Sequence, residues 1–141
     1  MKIFIKCNPP KSTAQGSSKI LKSRSGKMFV GKASNSKGSI ARDDLMALLR
    51  PYVPKEQYIN PVKVHIHWEY PWRKSEKKKY LAAGYRYCDT RPDCDNLMKL
   101  LFDCMTRLAY WKDDSIVCDV RFIKRWGDNP GITISIEEKE E

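Results

Sequence analysis

The sequence predicts a single α/β domain built on a mixed sheet of about four to six strands, with two main helices and a hairpin at each end. Three observations carry that reading. Val62, Val64, Ile66, Trp68 and Tyr70 alternate strictly with Lys63, His65, His67 and Glu69, which is the period-two pattern of a strand with one buried face. Leu97, Leu100, Leu101, Cys104 and Leu108 recur at three- and four-residue spacing and predict an amphipathic helix over Asn96 to Leu108. The length of 141 residues suits one domain with a real core and is too short for two comfortable ones.

Charge narrows the class of partner. The chain carries 27 Lys and Arg against 17 Asp and Glu, a net +10, placed unevenly. Residues 1–80 hold 18 basic and 5 acidic side chains (+13), and residues 81–141 hold 9 and 12 (−3). A basic half beside an acidic cluster suits an enzyme with a polyanionic substrate and a dication as cofactor. No apolar run approaches the roughly 18 residues that a membrane span requires. Met1 to Lys6 is too short and too charged for a signal peptide. The five cysteines form no CxxC pair and are odd in number, so reduced thiols and a cytoplasmic setting are expected, without a membrane partner.

Taken in order, Ile3, Ile5 and Cys7 alternate with Lys2 and Lys6 as a short strand ending at Asn8-Pro9-Pro10. Residues 1–37 then form a basic N-terminal strand and loop with nine basic residues and no acid. Ile20-Leu21 and Met28-Phe29-Val30 are its only further strand pieces, so it reads as a hairpin or mobile loop that touches phosphates, or else as a solvated arm. Ser39 is positioned to cap a helix over Ile40 to Arg50, with an apolar stripe of Ile40, Leu45, Met46, Leu48 and Leu49, and Pro51 ends it. Pro51, Pro54 and Pro61 frame a connector to the strand at 62–70. His65 and His67 share that strand's polar face. A zinc pair would need a third ligand at recognisable spacing, and without one they read as solvent-facing or nucleic-acid-facing.

Residues 71–92 interleave Arg73, Lys74, Lys77, Lys78 and Lys79 with Trp72, Tyr80, Tyr85 and Tyr87. Cations for phosphates and rings for bases are what a nucleic-acid groove needs; the plainer reading is a charged β-ribbon with its aromatics packed inward. Because the segment leads through Arg91 straight into Asp93, DNA contact at these cations and at Arg91 is the reading adopted. Ile116, Cys118, Val120 and Phe122 alternate as a further strand. Gly127-Asp128-Asn129-Pro130-Gly131 is a turn, and Ile132, Ile134 and Ile136 form the antiparallel partner strand beyond it. Residues 137–141 read as an acidic, frayed tail.

The chemistry concentrates between Arg91 and Asp114. Asp93 and Asp95 are one residue apart, so an extended backbone would point both carboxylates the same way, roughly 7 Å apart, with room for one hydrated cation. Asp95 would then be the helix N-cap. Lys99 lies one turn further on and could reach whatever the carboxylates hold. Asp103, four residues past Lys99, is positioned to pair with it.

These residues resemble a known family. Asp93-Cys94-Asp95-Asn96-Leu97-Met98-Lys99, then Phe102-Asp103, then Trp111-Lys112-Asp113-Asp114 is similar to the RusA family of Holliday junction resolvases, with its DxDNLxK, helix and closing WxDD. The Asn8-Pro9-Pro10 turn, polar stretch and helix look like its phage-borne members. The resemblance implies a homodimeric, magnesium-dependent endonuclease, with no small-molecule cofactor, that cuts four-way DNA junctions by paired nicks in recombination and repair. The family's essential carboxylates fall on Asp93, Asp95 and Asp114, its lysine falls on Lys99, and Cys94 fills the variable middle slot. The chemistry agrees: three carboxylates repel unless a hard cation neutralises them, and oxygen-only ligands favour Mg²⁺, or Mn²⁺ in its place, over zinc. Two other readings are a looser fork or flap nuclease using the same acids, and a non-catalytic DNA-binding module in which the acids are structural.

Overall fold

The period-two strand holds the centre of the molecule. In a computed structural model describing residues 1–13, 18–22, 28–32 and 37–139, Val62, Val64, Ile66 and Trp68 are completely buried and Tyr70 nearly so. Burial of each such side chain is worth roughly 1.5–3 kcal/mol. In chain order the elements are β1 (Lys2–Lys6), β2 (Ser18–Lys22), β3 (Met28–Lys32), α1 (Lys37–Leu49), β4 (Val62–Pro71), α2 (Lys78–Ala83), β5 (Tyr85–Tyr87), α3 (Cys94–Arg107), β6 (Val117–Gly127) and β7 (Gly131–Glu138). Five strands form one mixed sheet in the order β1-β7-β4-β6-β5, and β2 and β3 pair separately as an antiparallel hairpin. This is the α/β architecture that the sequence predicts.

The helices α1 and α3 pack against each other and share one core with the inward face of the sheet. From α3 the core takes Leu97, Leu100, Leu101, Phe102, Cys104 and Met105. Tyr110 donates its hydroxyl to the Leu49 carbonyl at 2.6 Å and so ties the end of α1 to the turn after α3. Trp111, fully buried, donates to Thr106 Oγ1 at 2.8 Å. At the other end of β4, the Tyr70 hydroxyl donates to the Pro10 carbonyl at 2.8 Å, fixing the turn after β1.

Six local expectations are corrected. The strand after the 127–131 turn is not the neighbour of the strand before it: β4 lies between them, parallel to β6 and antiparallel to β7. The physical reason is the buried Glu69 of β4, whose carboxylate takes Arg125 Nε at 2.6 Å and the Asn129 backbone N–H at 2.7 Å, so the turn arches over the end of β4. Gly127 permits this, since a Cβ there would sit 2.5 Å from the Glu69 carboxyl carbon. Along β6 the expected face does not run through. A bulge between Val62 and Lys63 pairs them with Val117 and Asp119, leaving Cys118 as the extra residue and putting Ile116 and Cys118 out of phase with Val120 and Phe122.

In α1 the helix begins at Lys37, so Ser39 lies inside it and is not its cap. Its buried positions are Ala41, Leu45 and Leu49, one turn apart, whereas Ile40 is 62% exposed. Residues 72–90 are no long ribbon but the short α2 and the three-residue β5. The C-terminal acids are not frayed from Glu137, because β7 continues to Glu138 and Glu137 pairs with Lys63 at 3.2 Å. We predict that Leu45→Ala lowers stability by roughly 2–5 kcal/mol while Ile40→Ala stays within about 0.5 kcal/mol of the parent, measured by urea denaturation.

Candidate active site

A buried cation underlies the acidic loop. Lys124 points into the helix-covered face of the sheet with 9% of its surface exposed. Its ammonium donates to the backbone carbonyls of Thr90 and Pro92, the second at 2.6 Å. The Cys88 N–H donates to the Lys124 carbonyl at 3.0 Å, so the same residue holds the loop by its backbone as well. Sequence reading passes over this lysine, because an isolated basic residue in a strand ordinarily faces water. Its only signal is position: it falls in register with buried Trp68.

The pinned loop ends at Asp93, and the helix starts one residue later. Asp93, with φ −71° and ψ 148°, is the N-cap of α3, and Asp95 lies in the first helical turn. The expected extended segment is therefore shorter than read from sequence, and the cap is Asp93 in place of Asp95. The Asp93 carbonyl accepts from Leu97 N–H at 3.1 Å. Its carboxylate makes no capping hydrogen bond and is exposed, as is that of Asp95. Burial pushes the intervening Cys94 thiol up, with Lys124 acting in the opposite direction. The exposed carboxylates at this end of α3 are those of Asp93 and Asp95.

Asp93 and Asn96 open onto a cleft of about 410 Å³ whose other walls are Lys11, Ser12, Thr13, Arg91 and Pro92. Two cations thus flank a carboxylate in one depression, a setting for a phosphate brought beside a metal ion. Lys99 is exposed and one turn beyond Asp95. The expected Asp103 pair with Lys99 does not form, because Asp103 takes Arg107 Nε at 3.0 Å.

Asp114 belongs to the far end of the helix. It opens a 3-10 turn over Asp114–Ile116, for which Asp113 is the cap, accepting from Ser115 N–H at 3.2 Å. Burial raises the Asp114 carboxyl, and hydrogen bonding to Asp113 with the charges of Asp113 and Asp103 raises it further. Asp114 feels the charge of Asp103, which lies eight residues, roughly 12 Å, along α3 from Asp95. Accordingly, among the described residues no three His, Cys, Asp or Glu side chains come together to hold a metal ion. The sequence reading's ring of Asp93, Asp95 and Asp114 is not closed within the chain. The donor chemistry fits a hard dication: Mg²⁺ is commonly held by one or two carboxylates, retained waters and substrate phosphates, and Asp93 and Asp95 are exposed carboxylates at one helix start.

The remaining candidates separate by environment. Lys74, Lys77, Lys78, Lys79 and Arg91 are exposed. Arg73 is exposed as well, and also lies 3.8 Å over the Trp126 ring and 3.4 Å from Glu76. His65 and His67 line a cavity of about 390 Å³ on the opposite face of the sheet with Lys2, Thr133 and Ser135. Burial, with Arg125 and Arg121, lowers the pKa of His67.

Against known proteins, the family model described as "Endodeoxyribonuclease RusA" matches residues 9–137. The chain is 33% identical over 94 residues to a protein of Lactococcus phage r1t named crossover junction endodeoxyribonuclease rusA, covering 67% of this chain and 69% of that one. It is 28% identical over 90 residues to the crossover junction endodeoxyribonuclease RusA of Escherichia coli K12, covering 64% and 62%. An uncharacterized protein of Bacillus subtilis 168 is 31% identical over 90 residues, covering 60% and 63%. The stretch shared with the latter two thus spans less than two thirds of their length. For the loop itself, we predict that Lys124→Ala lowers stability by about 2–5 kcal/mol, since it leaves two buried carbonyls unsatisfied as well as a cavity. Thermal and urea denaturation check this; a loss within 0.5 kcal/mol would remove Lys124 as the anchor.

Proposed function

The chain belongs to the RusA family of endodeoxyribonucleases, and from that membership we propose that it resolves Holliday junctions by paired nicks, using a divalent cation held at Asp93 and Asp95. The observation that carries this reading is the uncapped, exposed Asp93 carboxylate at the start of α3, opening onto a cleft walled by Lys11 and Arg91. Mg²⁺, with Mn²⁺ able to replace it, would orient a water for in-line attack and offset charge on the phosphate oxygens. Lys11 and Arg91 hold the phosphodiester against the carboxylates. Lys99, one turn along α3, adds a donor to the same oxygens. Lys124 acts through the loop, keeping Asp93 where the cleft needs it. The exposed Lys74, Lys77, Lys78 and Lys79 extend the phosphate-binding surface away from the cut. No helix among the described residues is long and apolar enough to cross a membrane, and a cytoplasmic setting, where DNA and reduced thiols coexist, completes the reading.

The active species is a two-fold homodimer. Two scissile phosphates of a four-way junction are related by the junction's own two-fold axis, and an isologous pair of subunits matches that symmetry. The dimer also answers the geometry of α3. Since its length separates Asp114 from Asp93 and Asp95 within one chain, a site that uses all three carboxylates is composed across the two-fold, Asp114 coming from the other subunit.

Asp93→Asn and Asp95→Asn are expected to lower junction cleavage in Mg²⁺ by at least a thousandfold and leave junction binding intact or tighter, by gel shift in EDTA. Cleavage by either variant at near the parent rate would remove that residue from the site. Mixing Asp93→Asn with Asp114→Asn protein tests the shared site. Each is inactive alone, and their heterodimer regains one intact set and nicks a supercoiled cruciform plasmid. A mixture as dead as its parts would place all three acids in one subunit's site or rule out the dimer.

A further inference from the structure

The aromatic residues between β4 and the acidic loop fall into two groups. Trp72 donates its Nε1 to Asp128 Oδ1 at 2.8 Å. Tyr80 has the Arg86 guanidinium 4.5 Å over its ring, and Trp126 is stacked by Arg73 at 3.8 Å. Glu76, its side chain 3% exposed, grips both arginines. These rings are engaged in holding the segment together. Tyr85 and Tyr87 keep more of their surface free: Tyr85 is 38% exposed although Arg125 lies over its ring. They project from the same face of β5, two residues apart, with ring centroids 5.5 Å apart at 71°, and Tyr87 is 64% exposed.

The pair is also held rigid. Arg125, fixed by Glu69 at 2.6 Å, lies 5.0 Å from the Tyr85 ring. Just before β5, the Asp128 N–H donates to the Gly84 carbonyl at 3.2 Å, where Gly84 turns the chain out of α2 at φ +84°. Just after it, Cys88 is bound to Lys124. β5 is an edge of the five-stranded sheet, and the chain passes from it over that edge to Asp93 within six residues. Residues 72–92 hold seven basic side chains and two acidic ones, and one of those acids is Glu76, already paired. Lys74, Lys77, Lys78, Lys79 and Arg91 stand exposed around the edge.

We propose that Tyr85 and Tyr87 are a stacking platform for unpaired nucleobases at the branch point of the DNA. A rigid π-face among exposed cations, with Asp89 the one acid of the segment besides Glu76, fits a base and its phosphate; it does not fit an apolar protein surface, which would leave those cations desolvated and unpaired. Duplex DNA keeps its bases stacked and offers none to these rings. At a branch point the stack of base pairs is interrupted, so a base there can be turned onto these rings at a lower cost than within an arm, and β5 leads within six residues to Asp93, so base capture would place the branch at the sheet edge near the cut. Aromatic stacking is tolerant of sequence, so the platform recognises the branch and not a particular base. This deepens the junction reading and rests on it.

The test uses full-length protein in EDTA, so that binding is read without cutting, with three probes: a four-way junction, a 20-residue oligo-dT and a blunt duplex. Replacing both rings, Tyr85→Leu with Tyr87→Leu, is expected to weaken junction and oligo-dT binding about tenfold or more and to leave duplex binding within twofold; Tyr87→Trp is expected to retain tight binding. With 5-iodouracil at the branch point, ultraviolet light is expected to crosslink the peptide carrying Tyr87, and not when the label lies within an arm. Equal binding by parent and double variant, or loss on all three probes alike, overturns the platform. Light scattering that shows the double variant as a monomer where the parent is a dimer also overturns it, assigning the rings to a subunit contact. A parent protein that binds junction no tighter than duplex counts against the junction reading, and the oligo-dT comparison then still decides for or against the platform.

Discussion

Parallel pairing of β4 with β6 is the constraint from which the placement of the acids follows. Parallel neighbours cannot be joined by a tight turn, so the chain must leave the end of β4 and return across the sheet to the start of β6. Residues 72–116 make that return and carry α2, β5 and α3 with them. Because α3 spans the return journey, its two ends fall near opposite ends of β6: Asp93 beside the Lys124 end and Asp114 just before Val117. The separation of the acids within one chain is thus a consequence of topology and not of any local feature of the acidic motif.

Two buried charges make this arrangement specific. Burying an ammonium or a carboxylate is costly unless its hydrogen bonds are met; Lys124 is met by two backbone carbonyls, and Glu69 by one side chain and one backbone N–H. Lys124 takes its partners from the loop before Asp93, and Glu69 takes Arg125 and the Asn129 N–H from the turn that leads to β7. An apolar residue at either position would pack, but it would leave those backbone groups without partners. The two lie on opposite faces of the sheet, so one charge orders the acidic loop and the other braces Arg125 against the tyrosine edge.

What was legible in the sequence follows the same physics. β4 and α3 were readable because each buries one face completely, and burial writes a period into the residues. The 24-residue acidic segment was readable because its chemistry demands particular side chains at particular spacing. Neighbour relations were not readable: the isoleucines of β7 announce a strand, and nothing in them tells that β4 will insert between it and β6. The start of α3 was read two residues late because Asp95 is as good a capping residue as Asp93. Arg73 was indistinguishable from Lys74 in a basic run, because its partners Trp126 and Glu76 lie 53 and 3 residues away in sequence. Lys124 and Glu69 escaped notice because charged residues announce solvent, and their burial depends wholly on partners contributed by other strands and loops.

The measurement that bears most directly on the protein's role is a map of cut positions on a fixed four-way junction in Mg²⁺, run beside a linear duplex of the same sequence. Nicks at symmetry-related positions in two strands of like polarity, with the duplex intact and all cutting abolished by EDTA, are the expected result. Equal cutting of the duplex, or cutting that survives the chelator, would contradict a metal-dependent enzyme that selects DNA by its branched shape.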